Sequence, residues 1–423
     1  MKHLIPQNAI DAIRKTGGNI YIVGGSVRDE MFGFESKDLD ILVTGIEIDN
    51  LKAILLKDGV VDEVGKVFGI LKWSVPGLKE PIDVALPRKE ISTGESHIDF
   101  HVEFDHRLSV EDDLSRRDFT INAIAKDLFT DKIIDPFLGM KDIESKTLRV
   151  VGKKSFEEDP LRILRGLQFV SRFGLLNTCI GEMRTHSFRL KSISPERISI
   201  ELWKWLAKSP HPENIIAYMD STSVWKNIFD FGINDMSTLE MVNKTVAHAL
   251  EMMPMDPDIR LAAILSYAKM PVGKTVLENA EEVFEKLKLS SAGFDKKKVL
   301  KLVENSDFSK GKKLCGSKTD LRKFVALRLN GDMALFSDLI CLWAGSGHQK
   351  KYLGKLLAQI SQHAFQIILN KDPLKIKDLC IDGNDVVEKG FVGKGIGIAL
   401  KHLLEIVLED PKENTKENLL LRL

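Results

Sequence analysis

The chain has 423 residues, of which 43% are hydrophobic, so it is long and apolar enough for roughly two to four domains with real cores. No apolar run reaches the length of a membrane span, and the N-terminal segment lacks the pattern of a signal peptide. The four cysteines are scattered without the spacing of a disulfide framework or a metal site, which favours a reduced, cytoplasmic setting.

The net charge is zero, which by itself argues against a nucleic-acid binder. The charges are, however, segregated along the chain. Residues 1–148 contain 19 Lys and Arg against 27 Asp and Glu, residues 149–213 contain 12 against 7, and residues 296–323 contain 10 against 3. This distribution predicts an acidic, metal-binding head and basic surfaces elsewhere, which are either solvated faces or RNA contacts.

A strand, a glycine turn and a helix follow an opening amphipathic helix over residues 1–18. The strand is predicted over Ile20–Val23 and runs directly into Gly24-Gly25-Ser26. Two glycines allow a sharp turn and the close approach of a ligand, and Ser26 is a good N-cap for a helix over Val27–Met31. Free amides beside a helix N-terminus favour an anion such as a triphosphate, although an isolated turn of this kind is usually only a turn.

Two aspartates open the next apolar strand, which runs to Val43. Alternate strand residues share a face, so Asp38 and Asp40 are expected about 7 Å apart on one face. Such a pair can bind hard divalent cations such as Mg²⁺. An isolated Asp-x-Asp is more often a solvated edge, but its position after a phosphate cradle favours nucleotidyl transfer.

The segment that follows predicts a helix over residues 50–57 and strands over Val67–Val75 and Ile82–Leu86. Asp83 interrupts the second strand and is either a third metal carboxylate or a polar edge residue. Residues Lys89–Glu111 are polar, and the spacing of their three histidines (His97, His101 and His106) fits no metal site. They predict a mobile loop.

A second polar cluster, Arg116-Arg117-Asp118, precedes an apolar run that ends at Ala123. Arginine can clamp a phosphate with paired donors, and aspartate can accept hydrogen bonds from ribose hydroxyls. The alternative is an ion-pair cluster at a helix N-terminus.

Beyond about residue 148 the pattern is essentially helical. A helix from Phe156 to Arg172, with Pro160 in its first turn, places Asp159 and Arg162 on one face. Together they can read the edge of a base: the aspartate accepts from the exocyclic amine of C or A, and the arginine donates to the ring nitrogen. Without context a surface ion pair is the simpler interpretation. Ser194-Pro195 predicts the start of a further helix.

These motifs resemble those of a known enzyme family. The sequences GGSVRD over 24–29 and DLD over 38–40 resemble the signature of the class II tRNA nucleotidyltransferases and bacterial poly(A) polymerases. Residues 113–123 are similar to the second motif of this family, and Glu158-Asp159-x-x-Arg162 is similar to its base-reading motif. The resemblance implies an α+β fold: a polymerase-β-like nucleotidyltransferase head with a mixed sheet and helices, then an elongated all-helical neck, body and tail. The implied domains are a catalytic head (1–148), a base-recognising neck (149–212), a body (213–320) and a tRNA-binding tail (321–423).

The resemblance also implies roles for single residues. Asp38 and Asp40 would be catalytic and bind Mg²⁺, with Asp83 as a further ligand. Glu196 and Arg197 would brace the base-reading helix. The implied nucleotide-binding residues are Gly24, Gly25, Ser26, Arg28, Arg116, Arg117, Asp118, Asn122, Asp159, Arg162 and Arg165.

The implied activity is template-independent addition of C, C and A to the tRNA 3′ end from CTP and ATP, with the tRNA acceptor stem as partner and no membrane. The alternatives are an A-adding enzyme or poly(A) polymerase of the same family and, more distantly, a non-catalytic RNA-binding protein. Ser266 and Tyr267 stand where a phosphohydrolase helix carries a His-Asp pair, so no phosphohydrolase activity is expected. Gly393 to Gly397 predict a loop that opens a helix over Ile398–Leu408.

Overall fold

The computed structural model describes residues 4–34, 39–64, 70–92, 100–229, 236–267, 274–345 and 353–423. The chain forms two compact units, Met1–Glu201 with Ala217–Ile228 and Leu202–Ile216 with Phe229–Leu423. The four-part division expected from the sequence stays a prediction. Within the described ranges, no helix combines the length and the apolar character needed to cross a bilayer.

The first unit contains the strands, which are β1 (Asn19–Val23), β2 (Asp40–Thr44), β3 (Val60–Val64), β4 (Ile70–Ser74), β5 (Ile82–Ala85), β6 (Arg88–Ser92), β7 (Phe100–Phe104), β8 (Ala125–Asp127), β9 (Ile133–Ile134), β10 (Thr147–Leu148) and β11 (Leu176–Asn177). Among the described residues, seven strands form one sheet in the order β3-β4-β5-β2-β1-β8-β9. Its β2–β5 pair is parallel and its other pairs are antiparallel. The expected mixed sheet is confirmed.

The central strands β1 and β2 are apolar because both of their faces are covered. Ile20, Ile41, Leu42 and Val43 are almost completely buried. Continuous runs of such residues are typical of strands that pack on both sides.

The helices up to residue 228 are α1 (Gln7–Lys15), α2 (Gly25–Met31), α3 (Ile48–Leu55), α4 (Val110–Ser115), α5 (Gly139–Glu144), α6 (Ser155–Glu158), α7 (Arg162–Phe173), α8 (Ile180–His186), α9 (Pro195–Lys208), α10 (Ile216–Ser221) and α11 (Val224–Ile228).

The second unit is helical, as the sequence predicted. Its helices beyond residue 228 are α12 (Met236–Met252), α13 (Pro257–Tyr267), α14 (Val276–Lys286), α15 (Lys296–Glu304), α16 (Ser309–Lys312), α17 (Lys318–Arg328), α18 (Met333–Gly345), α19 (Leu353–Leu369), α20 (Gly383–Glu388), α21 (Lys394–Glu409) and α22 (Lys416–Leu421). Aromatic packing of Trp343 against Phe308 and Phe336 forms part of its core.

One predicted loop is a hairpin instead. Strands β6 and β7 pair antiparallel from Arg88 opposite Phe104 to Ser92 opposite Phe100. The sequence FHVEF in β7 alternates apolar and polar residues, which suits a strand, and cross-strand hydrogen bonds satisfy the backbone whatever the composition. The loop predicted over Lys89–Glu111 was therefore wrong for the nine of these residues that lie within it, 89–92 and 100–104, while His97 lies outside the described residues.

The glycine run near the end of the chain also differs from expectation. Helix α21 begins at Lys394, four residues before the predicted start at Ile398, and Gly393 precedes it with φ of 55°. Glycine within a helix costs about 1 kcal/mol relative to alanine. Burial of Leu403 and Val407 on the same helix offsets that cost.

Candidate active site

The glycine turn lies where β1 ends. Gly24 has φ of 66° and ψ of −124°, and its N–H donates to the carbonyl of Ile124 at 3.3 Å. An L side chain would be strained in this conformation, so the turn requires glycine. Helix α2 begins at Gly25, earlier than predicted, with Gly24 as its N-cap.

The prediction that Ser26 caps this helix was wrong. Because the glycine turn already reverses the chain, Ser26 lies inside the first turn of α2 and is buried. Its hydroxyl accepts a hydrogen bond from the backbone N–H of Asp40 at 3.3 Å. This bond ties the start of α2 to the start of β2.

Two candidate metal-binding carboxylates lie on neighbouring strands. Asp40 begins β2, and the parallel register places Asp83 of β5 directly opposite it. Residues in register share a face of the sheet, so both carboxylates lie on the same side. Because β5 lies between β4 and β2, the alternative of Asp83 as an edge residue is wrong. The ammonium of Lys72 donates to Asp83 at 3.1 Å.

The donor set suits a hard divalent cation, because carboxylate oxygens are the ligands that Mg²⁺ prefers. The part of the chain that the structure describes holds no group of three or more His, Cys, Asp or Glu placed for a metal. Asp38, the other expected ligand, lies outside the described residues. Its role therefore stays a prediction.

The glycine turn, an arginine and Asp40 converge at one point. A Cβ atom added at Gly25 would lie 3.6 Å from Arg28 Nη2 and 3.9 Å from Asp40 Oδ2. The absence of a side chain at Gly25 thus leaves open a space that faces a cation and a carboxylate. The tertiary structure places these expected site residues together.

Arg28 is held rigidly in this place. It is 5% exposed, its Nε and Nη2 donate to Asp29 Oδ1 at 2.8 and 2.6 Å, and its Nη1 donates to Asn122 Oδ1 at 2.5 Å. The rings of Phe169 and Phe173 lie 4.8 and 4.9 Å from the guanidinium carbon. Burial lowers the pKa of Arg28, and the charge of Asp29 opposes that shift.

A buried aspartate organises the second cluster. Asp113 in α4 is completely buried and accepts from Arg116 Nε at 3.0 Å and from Arg117 Nη2 at 3.0 Å. Burial acts to raise the pKa of Asp113, but the two guanidinium groups outweigh it and lower the pKa. Sequence reasoning missed this residue, although its spacing of three and four residues from the two arginines is the signal for contact on a helix.

Arg117 also covers the glycine turn. Its Nη1 donates to the carbonyl of Asn122 at 3.3 Å, and a Cβ atom at Gly24 would collide with its guanidinium. The turn, Arg117 and the segment at Asn122 are therefore packed as one piece.

Asp118 is an internal ion-pair partner. Its Oδ1 accepts from Asn122 Nδ2 at 2.9 Å and from the N–H of Phe119 at 2.8 Å, and its Oδ2 accepts from Arg165 at 2.8 Å. Burial acts to raise its pKa, but the charge of Arg165 and these hydrogen bonds hold the pKa of Asp118 at about 2. The same carboxylate raises the pKa of Arg165. The expected ribose contact of Asp118 stays a prediction.

The base-reading segment differs in detail from the expectation. The predicted continuous helix is interrupted at Asp159, which is extended with φ of −139° and ψ of 100°, between α6 and α7. Pro160 explains the break, because a residue before proline is disfavoured in helical conformation. Asp159 and Arg162 are thus not stacked on one helical face.

Each of the two residues has another partner. Asp159 Oδ2 accepts from Arg197 Nη2 at 2.8 Å, as the bracing role of Arg197 predicts. Arg162 donates to Glu158 Oε2 at 3.2 Å and to the carbonyl of Arg116 at 2.9 Å. The simple surface pair between Asp159 and Arg162 was therefore the wrong alternative, and Arg162 joins the base-reading turn to the segment that carries Arg116.

Two family models match parts of the chain. Residues 20–149 match the family model "Poly A polymerase head domain". Residues 176–233 match the model "Probable RNA and SrmB- binding site of polymerase A".

Curated relatives match about half of the chain. The chain is 35% identical over 216 residues to the multifunctional CCA protein of Xanthomonas campestris pv. campestris (strain B100), an alignment that covers 49% of this chain and 50% of that protein. It is 39% identical over 201 residues to the multifunctional CCA protein of Pasteurella multocida (strain Pm70), covering 46% of this chain and 45% of that protein. The chain thus spans about half the length of the curated relatives it matches.

Solved structures share the fold over nearly the whole chain. The CCA-adding enzyme of Bacillus stearothermophilus in complex with CTP superposes with a TM-score of 0.73 and 22% identity, covering 98% of this chain and 94% of that one. The CCA-adding enzyme of Thermotoga maritima complexed with tRNA gives 0.64 and 22%, covering 97% and 92%. Residues 20–149 are thus similar to the head domain of poly(A) polymerases, about half of the chain is similar to the CCA proteins, and the fold of nearly the whole chain is that of the CCA-adding enzymes.

Proposed function

We propose that this chain is a CCA-adding tRNA nucleotidyltransferase, which adds C, C and A to the tRNA 3′ end from CTP and ATP without a nucleic-acid template. The observation that carries the proposal is the register of Asp40 with Asp83, beside the open space at Gly25 and the guanidinium of Arg28. Opposed carboxylates next to a cation suit the binding of a metal–triphosphate complex. The names of the relatives and of the solved structures support the choice of CTP, ATP and tRNA.

The reaction that follows is a displacement at phosphorus. The 3′-hydroxyl of the tRNA attacks the α-phosphorus of the incoming nucleotide, a new O–P bond forms, and the bond to the β-phosphate oxygen breaks to release pyrophosphate. Asp38, Asp40 and Asp83 would hold Mg²⁺, which when bound activates the hydroxyl and neutralises charge on the phosphates. Gly24 and Gly25 leave room for those phosphates.

The chain's own side chains would orient the nucleotide. Arg28 remains fixed by Asp29 and Asn122 and presents positive charge toward the space at Gly25. Arg116, Arg117, Asp118 and Arg165 would position ribose and phosphates from the neighbouring cluster. Asp159, held by Arg197, would accept from the exocyclic amine of C or A, and Arg162 would donate to the ring nitrogen.

The family descriptions favour one second candidate, a poly(A) polymerase, because both matching models are named for that enzyme. An A-adding tRNA nucleotidyltransferase has the same chemistry. We place the activity in the cytoplasm, which the free thiols of Cys179, Cys341 and Cys380 support.

The test is primer extension at single-nucleotide resolution on tRNA transcripts that end before CCA, after C and after CC. Addition of C, C and then A with a clean stop supports the proposal. Addition of A only to the CC-ending transcript indicates an A-adding enzyme, and long A tails on unrelated RNA indicate a poly(A) polymerase. No turnover with any nucleotide in Mg²⁺ would revive the non-catalytic alternative.

A matched pair of variants tests the carboxylate assignment. Asp40→Asn should slow addition by about a thousandfold, because a lost metal ligand removes several kcal/mol of charge stabilisation. Asp62→Asn, a surface carboxylate on β3 of the same sheet, should retain activity. Both variants should retain tRNA in a filter-binding assay. Near-normal addition by Asp40→Asn would show that this carboxylate binds no catalytic metal.

A further inference from the structure

Two helices of the first unit meet beside the active site. Helix α2 carries Arg28 next to the open space at Gly25, and helix α7 begins at Arg162 of the base-reading turn. The rings of Phe32 and Phe173 stack between these helices, with centroids 4.6 Å apart and planes 10° from parallel. The contact therefore joins the element that would hold the triphosphate to the element that would read the base.

An ion pair closes this contact. Asp29 is 8% exposed and uses its two oxygens separately: Oδ1 accepts from Arg28, and Oδ2 accepts from Arg172 Nη2 at 3.1 Å. The guanidinium of Arg172 also lies 4.7 Å above the ring of Phe173. Asp29 thus links the fixed cation of the cradle directly to α7.

Helix α7 has a second attachment near its other end. Arg165 binds Asp118, and Asp118 is connected through Asn122 to Arg28. The two attachments are seven residues apart on α7, which corresponds to about 10.5 Å along the helix axis. A helix attached at two points keeps its orientation, whereas a helix attached at one point can pivot.

From this arrangement we propose that Asp29 and Arg172 are a positioning pair, which fixes the base-reading turn relative to the triphosphate cradle and so sets nucleotide selectivity. The inference rests on the proposed function. Neither residue belongs to the expected nucleotide-binding set, and neither needs to touch the nucleotide in this role. They act through Arg28 on one side and through Arg162 on the other.

The expected change in nucleotide selectivity can be worked out from distances along α7. With Arg172 detached, ring contacts such as those of Phe173 with Phe32 and Arg28 still hold this end of α7, but the end is less firmly fixed. For a tilt of α7 about Arg165, Arg162 lies three residues beyond that point, about 4.5 Å along the axis. A 1 Å swing at position 172 then moves Arg162 by about 0.4 Å. Since a misplacement of 1 Å costs on the order of 100-fold in rate, a shift of this size should reduce selectivity about five- to tenfold.

The experiment compares Arg172→Gln with Arg172→Lys. The control Arg149→Gln removes another arginine–aspartate pair of the same unit, in which Arg149 Nε donates to Asp142 at 3.1 Å. Three quantities are measured on a tRNA transcript that lacks CCA: the ratio of kcat/KM for CTP to that for UTP, the inhibition constant of inorganic tripolyphosphate, and the urea midpoint of unfolding. Tripolyphosphate reports on the cradle alone, because it has no base.

In Arg172→Gln the CTP-to-UTP ratio should fall about five- to tenfold, while tripolyphosphate inhibition stays within about twofold of wild type, because Arg28 keeps Asp29 and Asn122. Arg172→Lys should recover part of the ratio, and Arg149→Gln should leave it unchanged. An unchanged ratio in Arg172→Gln overturns the inference. So does a ratio that falls only in proportion to weaker tripolyphosphate binding or a lower urea midpoint, since that indicates general destabilisation. A wild-type protein that adds no nucleotide refutes the proposed function, and with it the inference.

Discussion

Replacing Asp118 by asparagine would remove a buried charge while keeping the size of the side chain. In the wild-type protein the carboxylate is 7% exposed and is paired with Arg165 at 2.8 Å. Asparagine can still accept one hydrogen bond, but it cannot balance the charge of Arg165. We expect Asp118→Asn to destabilise the first unit, and the loss to depend on pH.

The magnitude follows from the pKa of Asp118, which is about 2 in the folded protein and 3.8 for an aspartate in the unfolded chain. One pKa unit corresponds to about 1.4 kcal/mol, so the charge contributes about 2 kcal/mol to the free energy of unfolding. Because folding lowers this pKa, the contribution is fully present above pH 4 and is lost as the pH falls toward 2. The wild-type protein and the variant should therefore differ by about 2 kcal/mol at pH 6 and converge near pH 2.

The assay is urea unfolding of both proteins at several pH values between 6 and 2.5, followed by far-UV circular dichroism. Hydrogen exchange of a peptide covering Arg162–Phe173 assigns the transition to the first unit. Glu63→Gln, which removes an exposed partner of Lys52, serves as the control and should change stability little at any pH. A difference between wild type and Asp118→Asn that stays constant from pH 6 to pH 2.5 would refute the reasoning.

Two other substitutions have expected outcomes. Gly24→Ala should cost about 2 kcal/mol or more in thermal unfolding and weaken CTP binding, because φ of 66° strains alanine and its Cβ collides with Arg117. The control Gly33→Ala, with open space around it, should cost less. Equal losses of stability in the two variants would contradict this expectation. Asp258→Asn should raise the thermal midpoint most at pH 8 and less and less as the pH falls from 6 toward 3.8. Burial and then the charge of Asp256 raise the pKa of Asp258 from 3.8 to about 6, so the cost of ionising this carboxylate in the folded state grows between these two values. A midpoint that stays unchanged at pH 8 would contradict the second expectation.

Local patterns predicted the elements that depend on neighbouring residues. The strand before the glycine turn and the helix that Pro195 begins were found close to where the sequence placed them. The N-cap prediction for Ser26 failed because its hydroxyl accepts a hydrogen bond from the backbone of Asp40 instead. Asp40 comes close to Ser26 only when the chain folds. The loop prediction for β6 and β7 failed because backbone pairing between two strands does not depend on an apolar composition.

The base-reading segment shows the same limit. Helical spacing correctly placed Arg162 and Arg165 on α7, but the spacing rule does not apply across the break that Pro160 causes at Asp159. Polar side chains that are close in sequence there bind partners from other segments of the chain. Asp113, in contrast, could have been predicted from the sequence. Its contacts with Arg116 and Arg117 are local, and helical spacing indicates them.

By itself, the sequence determined the chemical inventory of this protein: a glycine turn, aspartates at the start of a strand and arginines at helical spacing, all of which follow from local backbone preferences. Only the tertiary structure decided which of these groups face one another. The parallel register sets Asp40 opposite Asp83, Arg28 binds Asn122 from 94 residues away, and Arg172 binds Asp29 from 143 residues away. Such pairings depend on the burial of whole strands and helices, because a buried charge must find a partner among all the elements that pack around it.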